Sequence, residues 1–315
     1  MRDASDRTAR PPSFQHRLEF AALRMVIGLL AWLPFRMARR WGESLGLLGY
    51  RPLRIRRGVV TRQIAAAFPG LSPREVDRIA RDAYRSLGRT AIESALAARR
   101  GSAGVLALVG SADPLTPISD AVAAGRGVVL VTGHLGNWEL SAAWLAARGI
   151  PLDVIARRQA NPLFDAWITR TREALGLHVV TDADAVRRVP RAFREGRAVG
   201  FVADQGVLGL ASTFVPFFGR PAKTPRGPAV FALKYELPMI FVVAVLQPEG
   251  TYRIVIEPIP LAQTGNREHD VDAAVASFTA VLERYVRRYP DQYFWHHRRW
   301  RRQPPDTPAE LREPR

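Results

Sequence analysis

The stretch Gly127-Val-Val-Leu-Val-Thr-Gly-His134-Leu-Gly-Asn137-Trp-Glu139-Leu140 decides how this chain folds. Its first six residues form an apolar, β-branched run, which is typical of a strand that is buried on both faces. The run ends at Gly133, and Asn137 can cap a helix that begins after it. The stretch therefore predicts a strand, a short turn that contains His134, and a helix.

The same alternation of short apolar runs and helical patterns continues along the chain. Further strands are predicted at Leu152–Ala156, His178–Thr181, Ala198–Ala203, Met239–Leu246 and Tyr252–Glu257, the last as the hairpin partner of the one before it. Helices are predicted from Ser72 to Arg99, from Leu140 to Arg148, from Asn161 to near Gly176, from Thr224 onward and over Asp270–Tyr289. This alternation predicts an α/β fold with a mixed, mostly parallel central sheet that helices cover on both faces. Such sheets bind ligands at the carboxyl ends of their strands, where His134 lies.

The composition limits the classes of protein and of chemistry. With 315 residues, 47% of them hydrophobic and 24% charged, the chain falls in the globular range and can bury a sizeable core. It has no cysteine, which excludes disulfides, cysteine-ligated zinc, iron–sulfur clusters and a thiol nucleophile. The sequence also lacks the Gly-x-Ser-x-Gly motif of serine hydrolases and the phosphate-binding loop of P-loop nucleotidases. We expect neither a metal nor a cofactor.

The chain is strongly basic, with 46 Lys and Arg against 29 Asp and Glu and a formal net charge of +17. Residues 1–66 hold thirteen Arg and four acidic residues, and residues 284–302 hold seven Arg and one acidic residue. Both ends of the chain therefore favour a polyanionic partner: nucleic acid, an anionic membrane surface or a phosphorylated substrate. Nucleic acid is the least favoured of these, because the Arg residues cluster beside an apolar helix and after the last helix rather than on one readable face.

The N-terminal pattern is helical from Phe14 to Trp41 and contains the apolar run Met25–Phe35. This run is too short to cross about 30 Å of hydrocarbon, which takes about twenty residues. Clustered Arg residues follow it, which is typical of a helix that lies in an anionic membrane interface or of a short anchor. A core helix of a soluble domain is the alternative. We predict a basic tail and a membrane-associating helix in residues 1–50, a single domain in 51–303 and a disordered tail in 304–315.

His134 and Glu139 are the residues best placed to carry chemistry. Glu139 lies five residues after His134, in the first turn of the predicted helix, where the chain can bring its carboxylate to the imidazole. A carboxylate partner fixes the tautomer of a histidine and stabilises the imidazolium, so the pair can act as a general base. Gly133 and Gly136 leave room for a substrate on either side. The alternative is a buried turn histidine and an acid that complements the helix dipole.

The His-x4-Glu spacing in GHLGNWEL resembles the His-x4-acid motif of the glycerolipid acyltransferase superfamily. Its Glu variant resembles the bacterial lipid A biosynthesis acyltransferases, the lauroyl and myristoyl transferases. Further blocks follow in the order and at the spacing of that family: 157–162 (RRQANP), 203–205 (ADQ), 217–227 (FFGRPAKTPRG) and 295–300 (WHHRRW). The resemblance covers about residues 15–303. The Glu-Gly-Thr-Arg block of glycerol-phosphate acyltransferases is replaced by Asp204-Gln205, which argues against glycerol-3-phosphate as the acceptor.

The resemblance implies an O-acyltransferase that moves a fatty acyl chain from an acyl-carrier-protein thioester to a hydroxyl of a phosphorylated glycolipid, a lipid A precursor. It places the enzyme at the cytoplasmic face of the inner membrane. It implies that His134 is the general base, that Glu139 orients it, and that backbone N–H groups near the 133–138 turn bind the oxyanion. It also implies substrate-binding residues: Arg157 for a phosphate, with Arg158 or Arg170 as substitutes, and Asn161, Asp204, Gln205 and Thr224.

These polar residues also have structural interpretations. Asn161 and Thr224 each precede a proline, where they can act as helix caps. Asp204 can be the partner of a nearby Arg. For the whole protein, the alternative is a sister acyltransferase that uses acyl-CoA to modify another membrane lipid, such as a mannosylated or ornithine-type lipid.

Overall fold

The strand predicted around 127–132 lies at the centre of a seven-stranded sheet in a computed structural model of the chain, which describes residues 11–206 and 211–314. The strands are β1 (Val109–Ala112), β2 (Val128–Thr132), β3 (Leu152–Ala156), β4 (His178–Thr181), β5 (Ala198–Val202), β6 (Ser212–Phe217), β7 (Arg220–Pro225), β8 (Met239–Leu246) and β9 (Tyr252–Ile259). The α-helices are α1 (Phe14–Leu30), α2 (Phe35–Tyr50), α3 (Arg57–Ala67), α4 (Pro73–Leu106), α5 (Thr116–Ala123), α6 (Trp138–Ala147), α7 (Pro162–Glu173), α8 (Ala185–Arg194), α9 (Gly227–Tyr235) and α10 (Arg267–Arg288).

The strands of the main sheet follow the order β1-β9-β8-β2-β5-β3-β4. β2 is parallel to both of its neighbours, and its Leu130 lies opposite Gly200 of β5 and Ile240 of β8. β3 and β4 continue the parallel side, whereas β8 and β9 form the predicted antiparallel hairpin. The structure thus confirms the α/β class and the mixed, mostly parallel central sheet.

Successive residues of β2 face two separate hydrophobic cores, one on each side of the sheet. Val129 and Val131 pack in the core that α8, α9 and α10 cover. Val128 and Leu130 pack in the core beneath α5 and α6. Because residues 128–131 are all buried, the apolar run of β2 is explained by burial on both faces.

Capping hydrogen bonds confirm three of the predicted helix starts. The side-chain oxygens of Ser72, Asn137 and Asn161 accept from the backbone N–H groups of Glu75 (3.4 Å), Leu140 (2.9 Å) and Leu163 (3.1 Å). Each bond satisfies a donor that the first helical turn leaves without an intrahelical partner. These starts are therefore local features of the sequence.

The helix predicted from Phe14 to Trp41 is two helices, since a turn over residues 31–34 separates α1 from α2. Pro34 explains the break, because it disfavours a helical conformation in the residue before it and cannot donate to the helical ladder. The two helices bury part of their apolar surface against α4: Ile27, Leu30, Ala38, Ile92 and Leu96 form one cluster. None of the described helices is both long and apolar enough to cross a membrane.

Thr224 and Pro225, which the sequence predicts at the start of a helix, end strand β7 instead. β7 pairs with β6 in a separate antiparallel hairpin, whose turn has positive φ at Phe218 (+53°) and Gly219 (+71°). Such φ values are typical of tight hairpin turns. Helix α9 begins only at Gly227. Pairing across the hairpin therefore overrides the local signal for a helix start.

The sequence predicts a basic tail at the N-terminus and a disordered tail at the C-terminus. Residues 304–314 of the predicted C-terminal tail contact the domain: Glu313 forms an ion pair with Arg298 (2.5 Å), and the carbonyl of Arg312 accepts from Arg220 (2.9 Å). Of the predicted N-terminal region 1–50, residues 1–10 lie outside the described residues.

Candidate active site

The turn after β2 approaches its neighbours so closely that glycine is required. Gly136 has a φ of +58°, and a Cβ there would lie 2.0 Å from the carbonyl oxygen of Ala244 in β8. The N–H of Asn137 donates to the same oxygen (2.8 Å). At Gly133 an added Cβ would lie 2.7 Å from the side chain of Leu282 in α10. Close packing therefore explains both glycines, rather than the predicted room for a substrate.

His134 and Asp204 come together because their strands are neighbours. β2 and β5 are parallel with Thr132 opposite Val202, so the residues two positions further along lie side by side at the carboxyl edge of the sheet. Nδ1 of His134 lies 2.7 Å from Oδ1 of Asp204, and the backbone N–H of His134 donates to Oδ2 (3.0 Å). The Asp204 side chain is 1% exposed and the His134 side chain 23%. A buried carboxylate thus holds an imidazole that is still accessible.

The contact with Asp204 fixes the position of the imidazole proton. Burial by itself raises the pKa of Asp204, but the His134 ring and N–H, together with nearby Arg299, take that pKa well below its usual value. The carboxylate is therefore ionised at neutral pH and can only accept, so Nδ1 carries the proton and Nε2 carries the lone pair. This is the arrangement of a general base with an orienting acid.

Glu139, which the sequence predicts as the partner of His134, contacts Arg172 instead. Its carboxylate accepts from Nε (3.0 Å) and Nη2 (2.5 Å) of this arginine in α7. Glu139 lies in the first turn of α6 and faces α7. Its bidentate ion pair with Arg172 uses both carboxylate oxygens. The predicted contact between Glu139 and His134 is therefore corrected: the carboxylate at the imidazole belongs to Asp204.

Aromatic and amide side chains surround the imidazole. The ring centroids of Trp138 and Phe294 lie 4.9 and 5.8 Å from that of His134. The backbone N–H of Phe294 donates to the His134 carbonyl (2.9 Å), so the segment that leads into the 295–300 block packs on the turn. Nε2 of Gln205 lies 3.1 Å from Nδ1 of His134. The structure thus brings both residues of the Asp204-Gln205 pair to His134.

The backbone N–H groups of residues 134–137 all donate within the protein. Their acceptors are the Asp204 carboxylate and the carbonyls of Gly133, Gln292 and Ala244, at 2.8–3.0 Å. The expectation that this part of the turn binds an oxyanion is therefore corrected. The N–H groups of Trp138 and Glu139 are a different case, because the first residues of a helix have no intrahelical acceptor.

Thr224 belongs to a buried polar cluster. It is 0% exposed, and its hydroxyl accepts from Nη2 of Arg299 (2.7 Å) and donates to the carbonyl of Ala222 (3.0 Å). Arg299 is itself buried and also donates to the carbonyl of Lys223 (2.6 Å). Thr224 thus contacts the arginine that stabilises the Asp204 charge, and it presents no surface to a ligand.

The other predicted binding residues lie on β3, α7 and the segment between them. Asn161 caps α7, and its amide donates to the carbonyl of His16 in α1 (3.0 Å), so both ends of this side chain make internal contacts. Arg157 and Arg158 are exposed and follow β3 at the sheet edge that carries His134. Arg170 is exposed in the last turn of α7.

A cavity of about 320 Å³ lies beside the turn, between α1, α4, α6 and α7. Its lining is mostly apolar and includes Leu23, Ile27, Ile92, Ala95, Trp138, Ala143, Phe164, Trp167 and Ile168. The Glu139–Arg172 pair lies in its wall and also lines a second cavity of about 70 Å³ that extends toward β3 and β5. The larger volume is in the range of ligand pockets. An apolar chain can therefore be held next to the imidazole.

Arg172, Trp138 and Arg299 are site residues that the sequence patterns do not single out. Arg172 lies two residues after Arg170, and both occupy the same helix turn. The spacing of Phe164, Ile168 and Arg172 in steps of four residues indicates which arginine shares the cavity face. Arg299 is one of several Arg residues in its block, and only the fold distinguishes it.

The chain is similar to known acyltransferases over most of its length. A family model described as bacterial lipid A biosynthesis acyltransferase matches residues 9–302. The lipid A biosynthesis lauroyltransferase of Escherichia coli (strain K12) is 26% identical over 289 residues, 90% of this chain and 92% of that protein. The palmitoleoyltransferase of the same organism is 25% identical over 281 residues, 89% and 90% of the two chains. A phosphatidylinositol mannoside acyltransferase of Mycobacterium tuberculosis (strain ATCC 25618 / H37Rv) is 32% identical over 125 residues, 38% and 39% of the two chains.

We expect Asp204→Asn to lower kcat by about 10²–10⁴-fold, because the amide cannot fix the imidazole tautomer as the carboxylate does. The measurement is steady-state acyl transfer with melting curves of the same preparations. Asp153→Asn is the matched control: Asp153 is also buried and also contacts a histidine ring (His178 Nδ1, 2.9 Å). It lies near the beginning of β3, so this variant should lose stability and keep kcat. Equal losses of kcat in both variants would contradict the assignment of Asp204.

Proposed function

The chain belongs to the family of bacterial lipid A biosynthesis acyltransferases, and we propose that it moves a fatty acyl chain from an acyl-carrier-protein thioester to a hydroxyl of a lipid A precursor. The observation that carries this proposal is the His134–Asp204 pair beside an apolar cavity. The pair supplies a base for a hydroxyl, and the cavity supplies a place for the acyl chain.

The reaction follows from the tautomer of His134. Nε2 removes the proton of the acceptor hydroxyl as its oxygen attacks the thioester carbonyl, and Asp204 stabilises the resulting imidazolium. The tetrahedral intermediate then collapses: the carbon–sulfur bond breaks, and the imidazolium returns the proton to the leaving thiolate. We assign the oxyanion to the N–H groups of Trp138 and Glu139 at the N-terminus of α6. The ester and the free thiol are the products.

The cavity between α1, α4, α6 and α7 is the proposed site of the acyl chain. Its wall joins the site through Trp138, whose ring contacts His134. Glu139 and Arg172 form an ion pair with each other, so these two charged groups compensate one another in a mostly apolar wall. Glu139 therefore keeps a place in the proposed site, as a residue that shapes the cavity rather than as the partner of His134.

Arg157 is the proposed contact for a phosphate of the acceptor, with Arg158 and Arg170 as the neighbouring cations. A guanidinium binds phosphate with two parallel hydrogen bonds, and an exposed arginine at the edge that carries His134 can reach a bound lipid headgroup. The headgroup would then lie over the carboxyl ends of β2, β5 and β3, while the acyl chain lies beneath α6.

We further propose that α1, α2 and the loop after them bind the cytoplasmic face of the inner membrane. Of the fourteen large hydrophobic side chains that are exposed in the described residues, eleven lie here: Phe14, Leu18, Met25, Leu29, Trp32, Met37, Trp41, Leu45, Leu48, Leu53 and Ile55. Exposed Arg residues lie among them: Arg17, Arg24, Arg36, Arg40, Arg51, Arg54 and Arg56. Apolar side chains gain from insertion between lipids, and each cation gains about 1 kcal/mol near an anionic leaflet. We call this region the N-terminal surface.

The proposed activity is tested with purified protein, acyl-carrier-protein and coenzyme A thioesters of several chain lengths, and a panel of lipid acceptors. The panel contains a lipid A precursor, a mannosylated lipid and an ornithine lipid, and mass spectrometry identifies the products. We expect transfer from the carrier-protein thioester to the lipid A precursor, and a loss of about 10²–10⁴-fold in His134→Ala. A near-normal rate in His134→Ala would exclude the mechanism, and transfer to the mannosylated lipid alone would favour the sister activity.

Filling the cavity should shorten the preferred acyl chain. Ala95 of α4 lines the cavity, and Ala95→Leu adds three carbon atoms there. We expect the preferred donor to become shorter by about two to four carbons, because a pocket discriminates strongly against chains that no longer fit. Competition between donors of different length, followed by mass spectrometry, measures this. Ala98→Leu, on the same helix but outside the cavity lining, should leave the preference unchanged; a shift in the control variant alone would contradict the assignment.

Polar substitutions on the N-terminal surface should weaken membrane binding without unfolding the protein. In Met25→Gln/Leu29→Gln/Trp32→Gln the changed side chains are all exposed, and we expect co-sedimentation with anionic vesicles to fall strongly. Val186→Gln/Phe214→Gln removes exposed apolar side chains elsewhere and is the control, with expected wild-type binding. Activity on a detergent-solubilised acceptor should survive in both. Unchanged vesicle binding in the triple variant would place the membrane contact elsewhere.

A further inference from the structure

Glu93 of α4 is a buried carboxylate next to the proposed active site that the mechanism above does not use. It is 2% exposed and contacts three other parts of the fold. Arg39 of α2 places Nε 2.6 Å from Oε1, while the amide of Asn137 (2.8 Å) and the hydroxyl of Tyr252 in β9 (2.6 Å) both donate to Oε2. A single carboxylate thus joins α2, α4, β9 and the turn that carries His134.

The contact with Glu93 decides how the Asn137 amide is oriented. Oε2 of Glu93 accepts from the side-chain amide of Asn137, so Asn137 turns its NH₂ group toward Glu93. Its carbonyl oxygen then points to the N–H of Leu140 and caps α6 (2.9 Å). With the backbone bond from Asn137 to Ala244 (2.8 Å), this holds the residue at which the turn becomes a helix, three positions after His134.

Arg39 makes this orientation possible, because a buried carboxylate is costly without a compensating charge. The same guanidinium donates through Nη1 to the carbonyl of Gly250 (2.9 Å), which fixes its own position. Thr90 precedes Glu93 by three residues in α4. Its hydroxyl donates to the carbonyl of Gly136, in the segment that carries His134 (3.4 Å). Direct contacts therefore run from α2 through Glu93 to the turn.

We propose that Glu93, paired with Arg39, is a positioning residue that holds His134 in its reactive geometry through Asn137. This inference rests on the proposed acyl transfer and adds to it a group that acts on the base through Asn137. Glu93 also lines the proposed acyl cavity, whereas Arg39 does not. A base must be held to within fractions of an ångström, and a small displacement of it lowers the rate without weakening substrate binding.

A second ion pair between the same two helices provides a matched control. Nη2 of Arg89 in α4 lies 2.6 Å from Oε1 of Glu43 in α2, and neither side chain contacts the turn in the hydrogen bonds and ion pairs of the described residues. Arg89 also acts electrostatically on Glu93, so the control changes only the other partner. Glu43→Gln weakens the contact between α2 and α4 but keeps Arg89 and leaves the Glu93 cluster in place.

The first readout is the separation of kcat from KM. We expect Glu93→Gln and Arg39→Met each to lower kcat by about ten- to a hundredfold, with KM for thioester and acceptor largely unchanged. The Glu43→Gln control should keep kcat, even where its melting temperature falls. Asn137→Ser, which keeps a capping oxygen but has no amide for Glu93, should resemble Glu93→Gln and replaces it if that variant does not fold.

The second readout does not depend on acyl transfer. Diethyl pyrocarbonate modifies accessible imidazoles, and the His134 side chain is 23% exposed. Peptide mass spectrometry should show a changed rate of modification at His134 in Glu93→Gln and an unchanged rate in the control. Equal kcat losses in Glu93→Gln and the control, or wild-type kcat and labelling in Glu93→Gln, would overturn the proposal. If the wild-type protein transfers no acyl group, the proposed function fails, while the labelling still decides the positioning role.

Discussion

The buried charge of Asp204 is the constraint on which the rest of the site depends. A carboxylate that is removed from water is unstable unless hydrogen-bond donors and positive charge compensate it. Asp204 accepts hydrogen bonds from the backbone N–H and the ring of His134, and the positive charge of Arg299 also stabilises its carboxylate. Arg299 in turn donates a hydrogen bond to Thr224. These residues come from β2, β5, β7 and the C-terminal segment, so the site forms only when the strands have paired.

Two buried carboxylates hold the turn that carries His134 through different atoms. Asp204 binds the imidazole and its backbone N–H, and Glu93 binds the amide of Asn137, with Gly136 packed against the Ala244 carbonyl between them. Each carboxylate has an arginine nearby: Arg39 for Glu93 and Arg299 for Asp204. A turn that is fixed in this way needs little reorganisation when a substrate arrives, which is how proteins pre-organise a reactive group.

Much of the fold could be predicted because the relevant signals are local. β2 and β8 are continuous apolar runs, and Ser72, Asn137 and Asn161 cap their helices with their own side chains. One incorrect prediction has a non-local cause. The 224–225 pair has the residue types of a helix start, but pairing between β6 and β7 makes it the end of a strand. The division of the predicted N-terminal helix is instead a local effect of Pro34, and α4 buries parts of both pieces.

The sequence by itself determined that a buried strand leads through a glycine-containing turn into a capped helix, and hence that His134 lies at the carboxyl edge of a sheet. The spacing along the chain also made Glu139 the acid nearest to His134 in sequence. The structure places Glu139 in the first turn of α6, as the sequence predicts. Only the tertiary structure decided which carboxylate meets the imidazole. The order of the strands places β5 beside β2 and brings Asp204 to His134 across seventy residues, while α7 supplies Arg172 to Glu139. Helix starts depend on a few consecutive residues, whereas the partner of a side chain depends on which distant elements pack together, and that is settled by burial of the whole core.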